Sequence, residues 1–341
     1  MRNLQHITFK NLTFGILISS FFLFGCSKDL FYLPRSPQEE MEKAIEGGFD
    51  GMIVYVNQSS KSSFYSAGLN NREKLLLANP HSLFKIASIS KLYIAAATTK
   101  LIADNTLSLE QSLSDLIPEV AGEIENADQI TLKMLLKHRS GIPDYIYEEG
   151  FDSETEESYL STAALIFNKP EDFSPNAKYE YSNTNYLLIG EILDRTLGYS
   201  HHKFITNELL LPFGLINTFN IYSEVDSNAV MSGYYKGYDP DLKSLDHTRP
   251  GGSMVASAED VGIFLRALID GTLLNEVEQN IYTEIYEYEH TGWIGGYTSI
   301  ARYHSDIDAV VVQFVNTSST EWFWVELERV YSRVVLSLEN N

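Results

Sequence analysis

The sequence is poor in cysteine, in positive charge and in unbroken apolar runs, and each shortage excludes something. Cys26 is the sole cysteine among 341 residues. One thiol closes no internal disulfide, and without neighbouring ligands it builds no zinc site. Lys and Arg number 25 against 46 Asp and Glu, a formal charge of −21. Nucleic-acid binding needs cationic side chains that displace counterions from phosphates, so that class of partner is excluded. The acidity itself reads as a soluble, self-repelling surface. The apolar run from Phe14 to Phe24 is interrupted by Ser19 and Ser20, and it falls short of the ~20 residues that span a bilayer. The eight His show no zinc-ligand spacing; His201 and His202 are adjacent and would diverge on a helix. No internal repeat and no low-complexity tract is present. No metal or other cofactor is expected.

What is present begins at the N-terminus. Arg2 and Lys10 are the only formal charges in the first 25 residues, and the apolar run follows them. That is the layout of a signal peptide. It ends in Leu23-Phe24-Gly25-Cys26, which resembles a bacterial lipobox, where the cysteine is diacylated and becomes the new N-terminus. An ordinary signal peptide with a chance cysteine is the alternative. Residues 1–25 are thus expected to be a lipoprotein signal, Cys26 the lipidation site and link to a membrane, and residues 26–45, with Pro34 and Pro37, a tether. The address is the cell envelope, facing the periplasm or the exterior.

From residue 46 to 341 the chain, with 44% hydrophobic and 12% aromatic residues overall, has the composition of a folded domain. Gly51 to Asn57 and Ser63 to Gly68 read as paired strands, as do Thr298 to His304 and Ala309 to Val315. Glu321 to Leu338 is amphipathic and should lie as a helix on that sheet. Between these ends, over about 105–285, the pattern is mainly helical. Thr131 to His138 stops at Gly141 and Pro143, Tyr186 to Leu197 meets Gly198, and Ser257 to Asp260 opens a helix with a capping-box pattern that closes by Gly271. The expected fold is α+β: one antiparallel sheet built from both chain ends, flanked by helices, with a mainly helical insertion.

Three short motifs carry chemistry. In Ser88-Ile-Ser-Lys91 an amine sits one helical turn from a hydroxyl, close enough to take its proton. The following Leu92 to Ala103 reads as a buried helix, and burial lowers a lysine's pKa towards neutrality. The same pattern occurs at Ser82-Leu-Phe-Lys85 and Ser200-His-His-Lys203, so spacing alone does not choose. Only Ser88 leads straight into a long apolar helix. Tyr181-Ser-Asn183 lies in a polar stretch read as a loop before a helix at Tyr186; a phenol can relay a proton if a cation lowers its pKa, and an amide can hold a substrate carbonyl. A loop tyrosine and a helix-capping asparagine are the plainer reading. In His290-Thr-Gly292, followed by Trp293, a glycine would allow close backbone approach on an edge strand, with His290 and Thr291 at the cleft. A merely packed histidine is the alternative.

In this order the three motifs resemble the serine β-lactamase and penicillin-binding-protein superfamily, closest to its branch of class C β-lactamases, D-Ala-D-Ala carboxypeptidases and related esterases. Phe84 to Lys91, Leu135 to Tyr145, Tyr179 to Gly190 and Gly251 to Asp260 match that family's wording as well, and the likeness runs from about residue 46 to 338. The resemblance implies that Ser88 is acylated while Lys91 and Tyr181 move its proton. It also implies that Asn183, His290, Thr291 and Gly292 bind substrate, and that the backbone N–H groups of Ser88 and Trp293 form the oxyanion hole. His290 stands where class C β-lactamases usually have lysine, which weakens a carboxylate grip. The expected activity is hydrolysis of an amide or ester through acyl-Ser88, in the manner of a D-Ala-D-Ala carboxypeptidase or esterase. A β-lactamase, or a slow sensor that binds penicillin without turnover, is the alternative. The expected partners are a small peptide, ester or β-lactam substrate.

Overall fold

The computed structural model describes residues 35–339 apart from residue 60, residues 152–157 and residue 321. The expected signal peptide, Cys26 and the first part of the tether lie outside the described residues.

Two strands from each end of the chain form the middle of the main sheet. β1 (Gly51–Gln58) pairs antiparallel with β2 (Lys61–Asn71), which is edged by the short β3 (Leu76–Leu77). β4 (Phe84–Lys85), β5 (Thr218–Phe219) and β7 (Val255–Ala256) make a small separate sheet, and β6 (Tyr234–Tyr235) pairs with β11 (Thr317–Ser318). From the C-terminal part come β8 (His290–Ile294), β9 (Tyr297–His304) and β10 (Ala309–Val315). The main sheet runs β3-β2-β1-β10-β9-β8, which leaves β8 at an edge.

The central strands read as unbroken apolar runs because both faces of the sheet are covered. Alternation sorts their side chains. Ile53 and Tyr55, with Val310, Val312 and Phe314, join the larger core, whereas Met52, Val54 and Val56, with Val311 and Val315, join a second one. The register agrees: Tyr55 lies opposite Val312 and Ile53 opposite Phe314. The second core is closed by α1 (Pro37–Glu46) and α10 (Trp322–Leu338). Residues 37–46 therefore correct the expected tether. Pro37 at the first turn, a capping box between Ser36 and Glu39, and burial of Met41 and Ala44 make this stretch a docked helix.

The larger core lies between the sheet and the helical region. That region holds α2 (Ser90–Ala103), α3 (Leu113–Leu116), α4 (Leu132–Leu136), α5 (Tyr159–Ala163), α6 (Asn183–Leu197), α7 (His201–Ile205), α8 (Ala258–Ile269) and α9 (Glu276–Ile285). Ser90 to Thr99 of α2 are all buried, as the absence of a polar stripe requires. α8 lies flat on the sheet because Gly262 leaves room for the Tyr55 ring; a Cβ there would sit 2.2 Å from it. Two expected boundaries shift. α4 ends at Leu136, and His138 turns back with φ +52. α6 begins at Asn183, not Tyr186, with Ser182 as its N-cap.

Candidate active site

Ser88 is the half-exposed residue in an otherwise buried run from Ser82 to Thr99. It sits in a single 3₁₀ turn, Ala87–Ile89, that passes directly into α2. Ser88 and Lys91 therefore share one continuous helical face. Ala87, just before Ser88, has φ +50, a conformation unfavourable for a residue with a Cβ. The surroundings hold it there. Ser90 Oγ donates to Ala87 O (2.6 Å), Ile86 N–H to Met254 O (3.0 Å), Met254 N–H to Ser90 Oγ (3.2 Å), and Ser299 Oγ to Ile86 O (3.0 Å). β8 packs against the same turn. A Cβ on Gly292 would meet Ile86 O at 2.3 Å, so only glycine lets the edge strand come this close.

Lys91 and Tyr181 converge on the Ser88 hydroxyl, and Asn183 joins them through the lysine. Lys91 Nζ donates to Ser88 Oγ (3.1 Å), Asn183 Oδ1 (3.1 Å) and Gly251 O (2.8 Å), while Tyr181 OH donates to Ser88 Oγ (2.9 Å). The His290 ring lies 6.2 Å from the Tyr181 ring, centroid to centroid. Thr291 is half-buried, and its hydroxyl makes no hydrogen bond among the described residues. Trp293 follows Gly292 on β8, opposite Thr298.

Electrostatics assign different parts to the amine and the phenol. Lys91 is 0% exposed, and burial lowers its pKa to about 7, with the Asp144 carboxylate opposing the shift. Tyr181 moves the other way. Burial outweighs the Ser88 hydrogen bond and raises its pKa, so the phenol keeps its proton at neutral pH. Desolvation thus outweighs any lowering by a neighbouring cation, and Tyr181 acts with its proton on. Lys91 is the group able to take a proton near pH 7, and Tyr181 can only pass one on. His290 is pushed down to about 3, by burial first and by the charge of Lys91 second; its imidazole is neutral.

Residues not singled out from the sequence complete the arrangement. Asp144 Oδ2 accepts from Asn183 Nδ2 (2.8 Å), which turns the amide so that its oxygen faces Lys91. Burial raises the Asp144 pKa. The His138 ring stacks on Tyr181 (4.3 Å between centroids) and receives the Ser182 N–H on Nδ1 (3.2 Å). Gly251, at φ +81, brings its carbonyl to Lys91 where a side chain would strike Tyr186 and the lysine stem.

The other two Ser-x-x-Lys matches build nothing comparable. Lys85 Nζ donates to Lys243 O (2.7 Å) and Leu245 O and lies over the Tyr222 ring, away from Ser82. Ser200 caps α7, and Lys203 is exposed. Among the described residues no group of three or more His, Cys, Asp or Glu could hold a metal ion.

Comparison with known proteins gives the family and the fold. The Beta-lactamase family model matches residues 38–284, most of the chain. The chain belongs to the β-lactamase family. It is a member of the serine β-lactamase and penicillin-binding-protein superfamily, with the mixed α and β fold of its relatives. Among sequence relatives, Protein flp of Staphylococcus aureus (strain N315) is 24% identical over 281 residues, covering 78% of this chain and 56% of that protein. Penicillin-binding protein 4* of Bacillus subtilis (strain 168) is 26% identical over 206 residues, 59% of this chain and 44% of the other. The chain thus spans about half the length of these relatives. Among solved structures, D-amino acid amidase from Ochrobactrum anthropi SV3 superposes with a TM-score of 0.78 at 22% identity, covering 89% of this chain and 97% of that one. A class C β-lactamase from Rhodobacter sphaeroides gives 0.69 at 19% identity, covering 89% and 98%. At such identities these likenesses establish the fold.

Proposed function

We propose that this β-lactamase-family protein is a serine hydrolase that cleaves an amide or ester bond through an acyl-Ser88 intermediate, in the manner of a D-Ala-D-Ala carboxypeptidase or esterase. The observation that carries the reading is the Ser88 hydroxyl held at once by a buried amine with a pKa of about 7 and by a protonated phenol. Ser88 Oγ attacks the carbonyl carbon as its proton passes to Lys91. The Ser88 and Trp293 N–H groups receive the oxyanion, each donor contributing about 3 kcal/mol to the barrier reduction. Lys91 returns the proton to the leaving group through Tyr181, the bond to that group breaks, and water hydrolyses the Ser88 ester by the reverse path. Asn183 positions the substrate amide, and His290 and Thr291 line the β8 wall.

Peptides ending in D-Ala-D-Ala stand first as substrates, small esters second and β-lactams third. The D-amino acid amidase named above, with the same fold, supports an amide donor. Peptide mass spectrometry after a fluorophosphonate or penicillin should place one adduct on Ser88, and turnover of a D-Ala-D-Ala peptide, p-nitrophenyl acetate and nitrocefin ranks the donors. An adduct on Ser82 sinks the assignment, and a Ser88 adduct that never clears favours a penicillin sensor.

We also propose a lipid anchor on Cys26 that holds the domain to the cell envelope, facing the periplasm or the exterior. The lipobox-like Leu23 to Cys26 supports it. Cys26→Ala should move the protein from the membrane to the soluble fraction; unchanged partitioning would contradict the anchor.

A further inference from the structure

The β8 wall of the cleft carries no cation of its own to pair with a substrate carboxylate, and the Thr291 hydroxyl is the neutral donor it offers. No Lys or Arg occurs between Arg266 and Arg302, a stretch that contains α9, β8 and the acidic Glu287 and Glu289. Arg302 itself is engaged by both Glu328 oxygens (2.6 and 2.8 Å) and lies 3.7 Å from Glu289. Cations on neighbouring elements are likewise committed. Lys133 and Lys137 hold Glu284, and Arg249 binds Thr162 and lies over the Phe151 ring. Lys91 is the remaining cation at the centre, and Ser88, Asn183 and Gly251 surround its amine.

His290 presents the wrong polarity for an anion as well. Its Nδ1 is hydrogen-bonded to the Thr291 carbonyl oxygen, which can only accept. The proton of the neutral ring therefore sits on Nδ1, and Nε2 carries a lone pair. Nε2 makes no hydrogen bond among the described residues, while the ring is fixed parallel to Tyr286 (6.0 Å, 8°) and beside Tyr181 (6.2 Å). A lone pair accepts from an N–H and repels a carboxylate.

We propose that the β8 side of the cleft selects acyl donors that present an uncharged N–H group there, as a carboxamide does, over donors with a free carboxylate. This rests on the acyl-Ser88 reading above and revises its first substrate from D-Ala-D-Ala free acids to the corresponding carboxamides. For a peptide ending in D-Ala-D-Ala-carboxamide, Ser88 Oγ bonds to the penultimate carbonyl carbon and the peptide C–N bond breaks. The D-alaninamide leaves with the proton that Ser88 gave up. Water then splits the ester to a free acid and restores the hydroxyl.

Two peptides that differ only at the C-terminus, D-Ala-D-Ala free acid and its carboxamide, test the inference, with p-nitrophenyl acetate turnover and fluorophosphonate labelling of Ser88 in parallel. The carboxamide should show at least about a tenfold higher kcat/KM, because a site with an unpaired acceptor discriminates sharply between donor and anion. His290→Lys should shift that ratio at least about tenfold towards the acid. Equal rates, or preference for the acid, in the unmodified protein overturn the inference while Ser88 labelling stands. Labelling that neither peptide slows, with neither cleaved, overturns it too. A ratio unmoved in folded His290→Lys overturns it as well, because the His290 lone pair is its stated cause. Absence of Ser88 labelling and of ester turnover would instead bring down the acyl-transfer reading itself.

Discussion

Ser82 to Lys85 and Ser88 to Lys91 are the same four-residue pattern six positions apart, and the structure puts them to different uses. Both lysines are buried, at 3% and 0% exposure. Both have lowered pKa values, about 8 for Lys85 and about 7 for Lys91, with burial as the main cause. Burial therefore does not distinguish them, contrary to the expectation that only the second lysine would be enclosed. Backbone phase does. Lys85 lies on β4, in an extended segment where positions three apart face opposite sides, and its amine turns to the Lys243 and Leu245 carbonyls. Ser88 and Lys91 lie on a continuous helical turn, where positions three apart share a face. A detuned amine becomes a base only when a hydroxyl is what it meets.

The comparison can be broken most severely at Lys91. Lys91→Ala should slow acylation of Ser88 by roughly 10²- to 10⁴-fold, the usual worth of a positioned general base, as read from the rate of covalent labelling; far-ultraviolet circular dichroism would check that the variant stays folded. Tyr181→Phe removes the proposed proton relay but leaves the proposed base, so a smaller loss of about 10²-fold is expected. It should fall mainly on donors with poor leaving groups, and an equal loss for p-nitrophenyl acetate would argue against a relay role.

Asp144→Asn sharpens the contrast. It weakens the hold on the Asn183 amide and deletes the charge that raises the Lys91 pKa. Acylation should fall about tenfold, and its pH inflection should move below the unmodified position; an inflection that stays in place would exclude the electrostatic link. Lys85→Met should be the mildest for chemistry, with Ser88 labelling retained. Its effect belongs to stability: two carbonyls lose their donor, at a cost of about 1–3 kcal/mol. The sign with pH is definite. The folded pKa of about 8 lies below the ordinary 10.5, so between these values the unfolded chain binds more protons and stability rises with pH. Lys85→Met should flatten that rise in urea-unfolding midpoints.

Much of this was legible in the sequence. The strands around Tyr55 and Val312 were plain because β-branched and aromatic runs bounded by turn residues have few other uses. The end of α6 at Gly198 was equally clear. Its start is masked because Ser182 to Asn185 read as loop, yet Asn183 lies in the first turn with its amide turned to Lys91. α1 is hard to read because Pro37 and the charges beside it resemble a tether, although proline at the first turn after Ser36 is a helix signal. Asp144 and His138 were visible only inside a stretch of family likeness. Their contacts to Asn183 and Ser182 span 39 and 44 residues, and no local periodicity reports such a meeting. The histidine environment is hidden for the same reason, since the path of the chain stacks Tyr286 on His290 and sets Tyr181 beside it.

The most direct test is the acylation rate of Ser88 measured against pH by quenched-flow mass spectrometry, in the unmodified protein and in Lys91→Ala. The account predicts a rate that climbs through an inflection near pH 7, levels off above it, and collapses without the lysine. A rate independent of pH across that range, or one that survives the substitution, would contradict it.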